Sequence, residues 1–261
     1  MLLWSNIPMA LEAVAWTGLT YKTLNLKPDF ILIALSFAFT WVFYTLDRLD
    51  ISEADWANNP ERSAWYASKP ILKKLIWIVS IFIAIVLPFR LHILLPALIG
   101  IIPCLLYTTE FKIGTNTYTL KSLPVMKVVL VAFLWMLLTV LFPVFSTESS
   151  LPSTIIITHL SMMIACFIML QIHTNDLRDI EGDAHARIQS FAVLLGDKWA
   201  RLFGLTLIGI GIYFGWHLFN TSNLLIFSSL LTFRTLCYSK AWDIYWQALI
   251  TSQGVLAYFI L

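Results

Sequence analysis

The feature that most constrains this chain is a succession of apolar runs, each long enough or nearly so to carry a helix across a bilayer. Such a crossing takes about 20 helical residues. Nine runs are present, at roughly residues 7–25, 29–46, 71–89, 91–107, 123–143, 153–173, 199–217, 222–238 and 241–260. None alternates with the period of two that a membrane β-barrel strand needs. Charged residues make up 12% of the chain against 59% hydrophobic, about half the charged share of a soluble domain. The expectation is an all-α, polytopic membrane protein, a single integral-membrane domain over residues 1–261 built from nine transmembrane helices.

Basic residues orient the bundle. All but three of the 17 Lys and Arg follow the even-numbered runs. Arg48, Arg62, Lys69, Lys73 and Lys74 follow the second, and Lys112, Lys121 and Lys127 the fourth. Arg178, Arg187, Lys198 and Arg201 follow the sixth, and Arg234 and Lys240 belong to the eighth. Lys22, Lys27 and Arg90 are the exceptions. The basic side is expected to be cytoplasmic, with the N-terminus there and the C-terminus opposite after nine crossings. The start, MLLWSNIPMALEA, lacks the positive region of a signal peptide. No basic helix or arm marks a nucleic-acid partner. Cys104, Cys166 and Cys237 lie far apart inside apolar runs and read as packing residues, with no disulfide framework.

Most of the 15 acids gather in two stretches expected as loops, about 47–70 and 174–198. Asp47, Asp50, Glu53, Asp55 and Glu61 follow the second run; Asp176, Asp179, Glu181 and Asp183 follow the sixth. Both stretches fall on the same expected face of the membrane. Asp176, Asp179 and Asp183 stand at i, i+3 and i+7, so a helix continued through them carries all three on one stripe. Two carboxylate-bearing helix ends facing each other make an all-oxygen site for a hard cation. Mg²⁺ suits it, since that ion combines a few carboxylates with waters and phosphate oxygens. Zinc is a poor fit, because His173 and His185 have no Cys or His partner at ligand spacing. The plain alternative is a solvated charge cluster. Two clusters on one side, each abutting an apolar run, weigh against it.

The stretch NDLRDIEGDAHARIQSFAVLLGDKWA resembles the second aspartate-rich motif of the UbiA superfamily of intramembrane prenyltransferases. That motif is a D-x-x-D-x-x-x-D run, often with I-E-G-D, followed by an LPVLLG-like entry to the next helix; here these are Asp176, Asp179, Asp183 and 192–196. The first family motif, N-x-x-x-D-x-x-x-D with an arginine after the middle aspartate, matches less well. TWVFYTLDRLDISEAD supplies Asp47 and Arg48, but Phe43 stands in the asparagine position and Ile51 in that of the last aspartate. Asp50 comes one residue earlier than that position and Asp55 four later.

The resemblance implies a UbiA-like bundle with a central cavity opening to the lipid. Mg²⁺ would hold a prenyl diphosphate between the motifs, its tail in an apolar tunnel. The implied reaction is prenyl transfer to a lipophilic, commonly aromatic, acceptor. On that basis Asp47, Asp50, Asp176 and Asp179 are expected as catalytic metal ligands, joined by Asp183. Arg48, Lys112, Lys121, Lys127 and Arg178 are candidates for gripping the diphosphate, although each lysine also reads as a topology signal or a snorkelling residue. Phe43, Tyr44, Tyr107 and Tyr118 are candidate cavity-lining aromatics, whose π faces stabilise cations. Glu12 in the first run is expected to face the bundle interior and could accept a proton after bond formation. His159 and His217 read as satisfied core histidines.

Two other functions stay open. A terpene cyclase would use the same ionisation without an acceptor. A cation channel could use the acids as a selectivity ring, although such sites usually lie nearer the bilayer midplane. A CDP-alcohol phosphotransferase is excluded, because 183–187 lacks the glycine that its D-G-x-x-A-R element needs.

Overall fold

The computed structural model describes residues 5–49, 51, 55–56, 59–86, 91–109, 111–113, 116–118, 126–147, 152–185, 189–237, 248 and 252–261. Helices occupy the expected apolar runs. They are α1 (Ile7–Thr23), α2 (Phe30–Leu49), α3 (Pro60–Ala67), α4 (Ile71–Val86), α5 (Leu91–Thr108), α6 (Met126–Phe145), α7 (Thr154–Arg178), α8 (Ile180–His185), α9 (Phe191–Gly215), α10 (Thr221–Cys237) and α11 (Gln253–Ile260). A two-stranded antiparallel ribbon, β1 (Phe111–Ile113) and β2 (Asn116–Tyr118), pairs Lys112 with Thr117. Of the ninth expected run, 241–260, only 248 and 252–260 lie within the described residues. Among those residues, α2, α6 and α7 are long and apolar enough to cross a membrane.

Local chemistry sets the helix ends. Asn25 adopts φ 51°, and the N–H groups of Asn25 and Leu26 bond back to the carbonyls of Lys22 and Tyr21, closing α1 with a Schellman turn. Asp29 caps α2 by accepting from Ile31 N at 2.9 Å. Asn59 caps α3 by accepting from Arg62 N at 3.1 Å, with Pro60 in the first turn. In α6 a π turn spans Leu137–Leu141, just ahead of Pro143. Proline has no N–H and crowds the carbonyl four residues back, which accounts for the widened turn.

Three expectations need correction. The stretches 47–70 and 174–198 are largely helical rather than loops, holding the ends of α2 and α7, all of α3 and α8, and the start of α9. The helix expected over 199–217 begins at Phe191, because Ser190 Oγ caps it by accepting from Val193 N at 3.4 Å. It then kinks at Gly196, whose φ is 73°. His159 and His217 are not core residues either. His159 is half-buried and His217 exposed, their rings 6.1 Å apart near one end of the bundle. Among the described residues the core histidine is the fully buried His173, whose Nε2 meets Ala200 O at 2.6 Å.

Helix α7 is the centre of the core, with Leu160, Met163, Ile164, Phe167 and Leu170 fully buried. Trp16, Phe167 and Phe227 join α1, α7 and α10 in one aromatic cluster. In lipid, helices gain little from hiding apolar surface and rely on close packing, which small residues permit. Gly204, Gly211 and Gly215 supply that face on α9. A Cβ at Gly211 would stand 2.6 Å from the Phe167 ring. Outward, Phe30, Trp77, Ile155, Tyr213 and Phe259 are more than half exposed, an apolar exterior suited to acyl chains.

A polar layer crosses this core. Glu12, fully buried, accepts from Gln171 Nε2 at 2.6 Å, Gly254 N at 3.2 Å and Trp16 Nε1 at 3.3 Å. Arg234, equally buried, donates to Gln253 Oε1 at 2.8 Å and Thr174 Oγ1 at 3.4 Å. Gln253 Nε2 in turn donates to Phe167 O at 2.9 Å. Glu12 thus faces the interior, as its sequence position suggested.

Gly211→Ala should destabilise the protein by about 1–3 kcal/mol through overpacking against Phe167. Gly209→Ala, two residues away with open space around it, should be neutral or stabilising by up to about 1 kcal/mol. Thermal unfolding of both variants in detergent checks the pair; equal losses would refute this account of the α7–α9 contact.

Candidate functional site

The last turn of α7 places Asp176 in a fully buried position. A carboxylate sealed from water must be paired. Lys127, in the first turn of α6, donates from Nζ to Asp176 Oδ1 at 2.6 Å. Asp176 Oδ2 is buried with no hydrogen-bond partner.

Asp179 ends the helix, its N–H bonding to the carbonyls of Asn175 and Asp176. Its carboxylate takes two parallel bonds of 2.6 Å from Arg178, Nε to Oδ1 and Nη2 to Oδ2. Burial alone would raise the Asp179 carboxyl, but Arg178, Lys127 and Arg62 hold it below the usual carboxylate range. Asp183 lies one turn further on, its N–H bonded to Asp179 O at 2.8 Å. It is 5% exposed, and its Oδ2 also lacks a partner. Burial pushes its carboxyl up to about 6, opposed by Lys127 and reinforced by the charges of Asp176 and Asp179.

The first acidic stretch meets this cluster through its arginines. Arg48 Nη1 donates to Asp55 Oδ1 at 2.8 Å, and Arg62 Nη2 reaches the same oxygen at 3.4 Å. Burial, with the like charges of Arg48 and Arg178, lowers the Arg62 guanidinium to about 9, which leaves it charged at neutral pH. Asp179 is among the charges that act on both Arg62 and Arg48. Asp47 is half-buried, and its charge acts on Arg48 and Tyr66. Arg62 therefore joins Arg48, Arg178 and Lys127 as a fixed cation. Its sequence context, an ordinary helix start after Asn59-Pro60, carried no such signal. Helix α3, which presents Arg62, is pinned by Asn6, whose Nδ2 donates to Tyr66 Oη at 2.8 Å and Thr45 Oγ1 at 3.3 Å.

A partly open cavity of about 80 Å³ lies between α2, α5 and α6. Phe39, Phe43 and Asp47 are successive one-turn steps along α2, and Lys127, Val131 and Trp135 repeat this along α6. The same two stripes thus carry charge at one end and the cavity wall below it. Phe43 and Tyr44 both line the wall. Tyr44 Oη accepts from Trp135 Nε1 at 3.2 Å, and the rings of Phe43, Tyr44 and Trp135 meet edge to face.

Asp50 and Lys121 lie outside the described residues. Lys112 and Tyr118 sit on the β1–β2 ribbon and Tyr107 near the end of α5, but their side chains are outside the described ones. Among the described residues, no three His, Cys, Asp or Glu converge on a metal-sized gap. The two orphaned oxygens of Asp176 and Asp183 instead suit a hard cation that keeps open positions for waters or phosphate oxygens.

Residues 65–258 match the family described as the UbiA prenyltransferase family. The fold is similar to a UbiA homolog from Archaeoglobus fulgidus bound to DMAPP and Mg2+, with TM-score 0.51, and to a UbiA homolog from the same organism bound to GPP and Mg2+, with TM-score 0.50. Each is 16% identical, with 99% of this chain and 96% of that chain covered. A search of curated proteins finds no match.

The Asp183 carboxyl, raised from 3.8 to about 6, favours folding while protonated and loses that contribution as pH rises through about 6. In metal-free protein, Asp183→Asn should therefore stabilise relative to wild type by on the order of 1 kcal/mol near pH 8 and by little near pH 4. Thermal melts with chelator across that range test this; a pH-independent difference would contradict it.

Proposed function

The chain belongs to the UbiA prenyltransferase family, and from that premise we propose that it is a Mg²⁺-dependent intramembrane prenyltransferase. It ionises an isoprenoid diphosphate and transfers the prenyl group to a lipophilic, aromatic acceptor. The observation that carries this reading is the pair of buried, partnerless oxygens on Asp176 and Asp183, set among four fixed cations, with Asp47 and Lys127 each one helical turn from a residue that lines an apolar cavity. The names of the two Archaeoglobus structures, with DMAPP or GPP and Mg2+, support the same ligand class.

Asp176, Asp179 and Asp183 would hold the metal from one side, and Asp47 and Asp50 from the other. Magnesium, when bound, neutralises charge on a departing diphosphate. Arg48, Arg62, Arg178 and Lys127, with Lys112 and Lys121 from the segment between α5 and α6, orient that group by fixed positive charge. Arg48, Arg62, Arg178 and Lys127 are already in place before the C–O bond breaks, so little reorganisation is needed as charge develops. Phe43, Tyr44 and Trp135 exclude water from the allylic carbon and offer π faces to its positive charge. A new carbon–carbon bond then forms and the acceptor loses a proton. The bundle would cross the membrane nine times, with the N-terminus and the acidic motifs on the cytoplasmic side.

Cyclisation of the prenyl chain on itself is a second reading. Phe43 in the asparagine position and the aromatic lining of the cavity favour it. Incubation with Mg²⁺ and single prenyl diphosphates, each with and without an aromatic acceptor, distinguishes the two. Transfer gives product only with acceptor, whereas cyclisation gives cyclic hydrocarbon without it.

Asp176→Ala and Asp179→Ala should each lower turnover by about 100-fold or more while helical content in detergent is retained. Near-normal rates in both variants would remove the site. Phe43→Asn should change the Mg²⁺ concentration dependence or the product pattern, as read by diphosphate release and product chromatography.

A further inference from the structure

A second cavity, partly open and of about 440 Å³, lies between the last turns of α2 and the first turns of α4. Leu46 and Leu49 line it from α2, and Lys73, Ile76, Trp77 and Ser80 from α4. Positions 73, 76, 77 and 80 follow the spacing of one helical face, and 46 and 49 stand one turn apart opposite them. Deeper in the bundle the same two helices share a packed cluster, with Leu35, Ala38 and Val42 of α2 and Val79 and Ile83 of α4. They meet at that level and part toward the end that carries Asp47. Leu46 is left 50% exposed beside the gap.

Most of the groove is hydrocarbon. Among the described residues, the only charge that lines it is that of Lys73. Neither Lys73 nor its neighbour Lys74 forms an ion pair with any described residue. Lys73 is exposed, and one turn further into α4 the indole of Trp77 is 70% exposed. An aromatic ring with a lysine one turn nearer the helix start suits a membrane interface, where the ring sits among headgroups and the lysine stem snorkels past it.

These features specify an occupant. From Lys73 to Ser80 the groove runs about 10 Å along α4, so a molecule headed at Lys73 reaches into the apolar layer. A phosphate offers the unpaired ammonium its counter-charge, and an acyl chain suits Leu46, Leu49, Ile76 and Trp77. A choline or ethanolamine head brings a second cation to the same place, with no carboxylate among the described lining residues to receive it. Net negative lipids are therefore favoured. We propose that this groove binds an anionic glycerophospholipid, its phosphate on Lys73 and one acyl chain along the α2–α4 seam. Leu46 and Leu49 flank Asp47 and Arg48 in the same turn, so a lipid seated there braces the helix end that carries the first acidic stretch. In the orientation proposed above this is the cytoplasmic leaflet, and the site is independent of the reaction.

Native mass spectrometry of full-length protein in detergent, titrated with phosphatidylglycerol or phosphatidylcholine of identical acyl chains, reads an apparent Kd for each lipid. Phosphatidylglycerol should bind about fivefold more tightly or better, the increment of one lysine at a membrane surface. Lys73→Gln, which keeps much of the stem and removes the charge, should bring that ratio to about one. Lys74→Gln removes the same charge one residue outside the lining and should leave the ratio above about threefold. Both lysines are exposed, so either variant should fold. Ser80→Phe should fill the groove and weaken both lipids by about tenfold. Equal affinities for the two lipids in wild type would overturn the site. So would equal effects of Lys73→Gln and Lys74→Gln, the mark of a diffuse positive surface, or unchanged binding in Ser80→Phe. None of these outcomes would touch the proposed function.

Discussion

A carboxylate with no water around it, Asp176, dictates how this end of the bundle is built. An unpaired charge in that position would be strongly destabilising, so α6 must begin where Lys127 can reach it, 2.6 Å away. That pairing fixes the first turn of α6 against the last turn of α7. The lower turns of α6 are then committed too, and Val131 and Trp135 must face α2. The apolar cavity is thus a geometric consequence of one ion pair together with the helical repeat. Replacing the pair with apolar residues could be tolerated energetically. It would also discard the oxygen on the far side of the same carboxylate, the atom available to a ligand.

A second sealed acid, Glu12, is treated differently. Among the described residues no cation lies against it; three N–H donors from three separate helices surround it instead. Its nearest positive neighbour by electrostatic effect, Arg234, spends its own hydrogen bonds on Gln253 and Thr174. Gln171 and Thr174 both belong to α7 and lie just below Asp176 in the same helix. The layer therefore ties α1, α10 and α11 to the helix that carries the acidic motif. It holds that helix end in position from beneath, while Lys127 holds it from the side.

Much of this was legible in the sequence, and what was hidden has physical reasons. Apolar runs located the helices because a membrane-grade helix must be apolar over most of its length. Asp176, Asp179 and Asp183 were legible because acids on one helical stripe, set against an apolar run, repel one another unless positive charge holds them together. The start of α9 was obscured because the long apolar run begins only after Gly196, Asp197 and Lys198, whereas the chain kinks at Gly196 and stays helical on both sides. Arg62 was hidden because its role depends on α3 folding back toward α7, more than a hundred residues later in the chain. The Tyr44–Trp135 contact joins residues 91 positions apart, which no local pattern encodes. His159 and His217 were misjudged because an apolar run does not reveal which of its residues lie near an end.

The bond from Gly254 N to Glu12 Oε1 joins residues 242 positions apart. During synthesis α1 emerges first, and its carboxylate has to wait for that donor. At ordinary elongation rates the delay is roughly 10–50 s. Throughout that interval the growing chain carries an acid whose set of donors is incomplete, with Trp16 present from the start and Gly254 still to come. The assembly machinery must therefore keep α1 in a sheltered or hydrated place until α11 arrives, which makes bundle closure a late event in biogenesis.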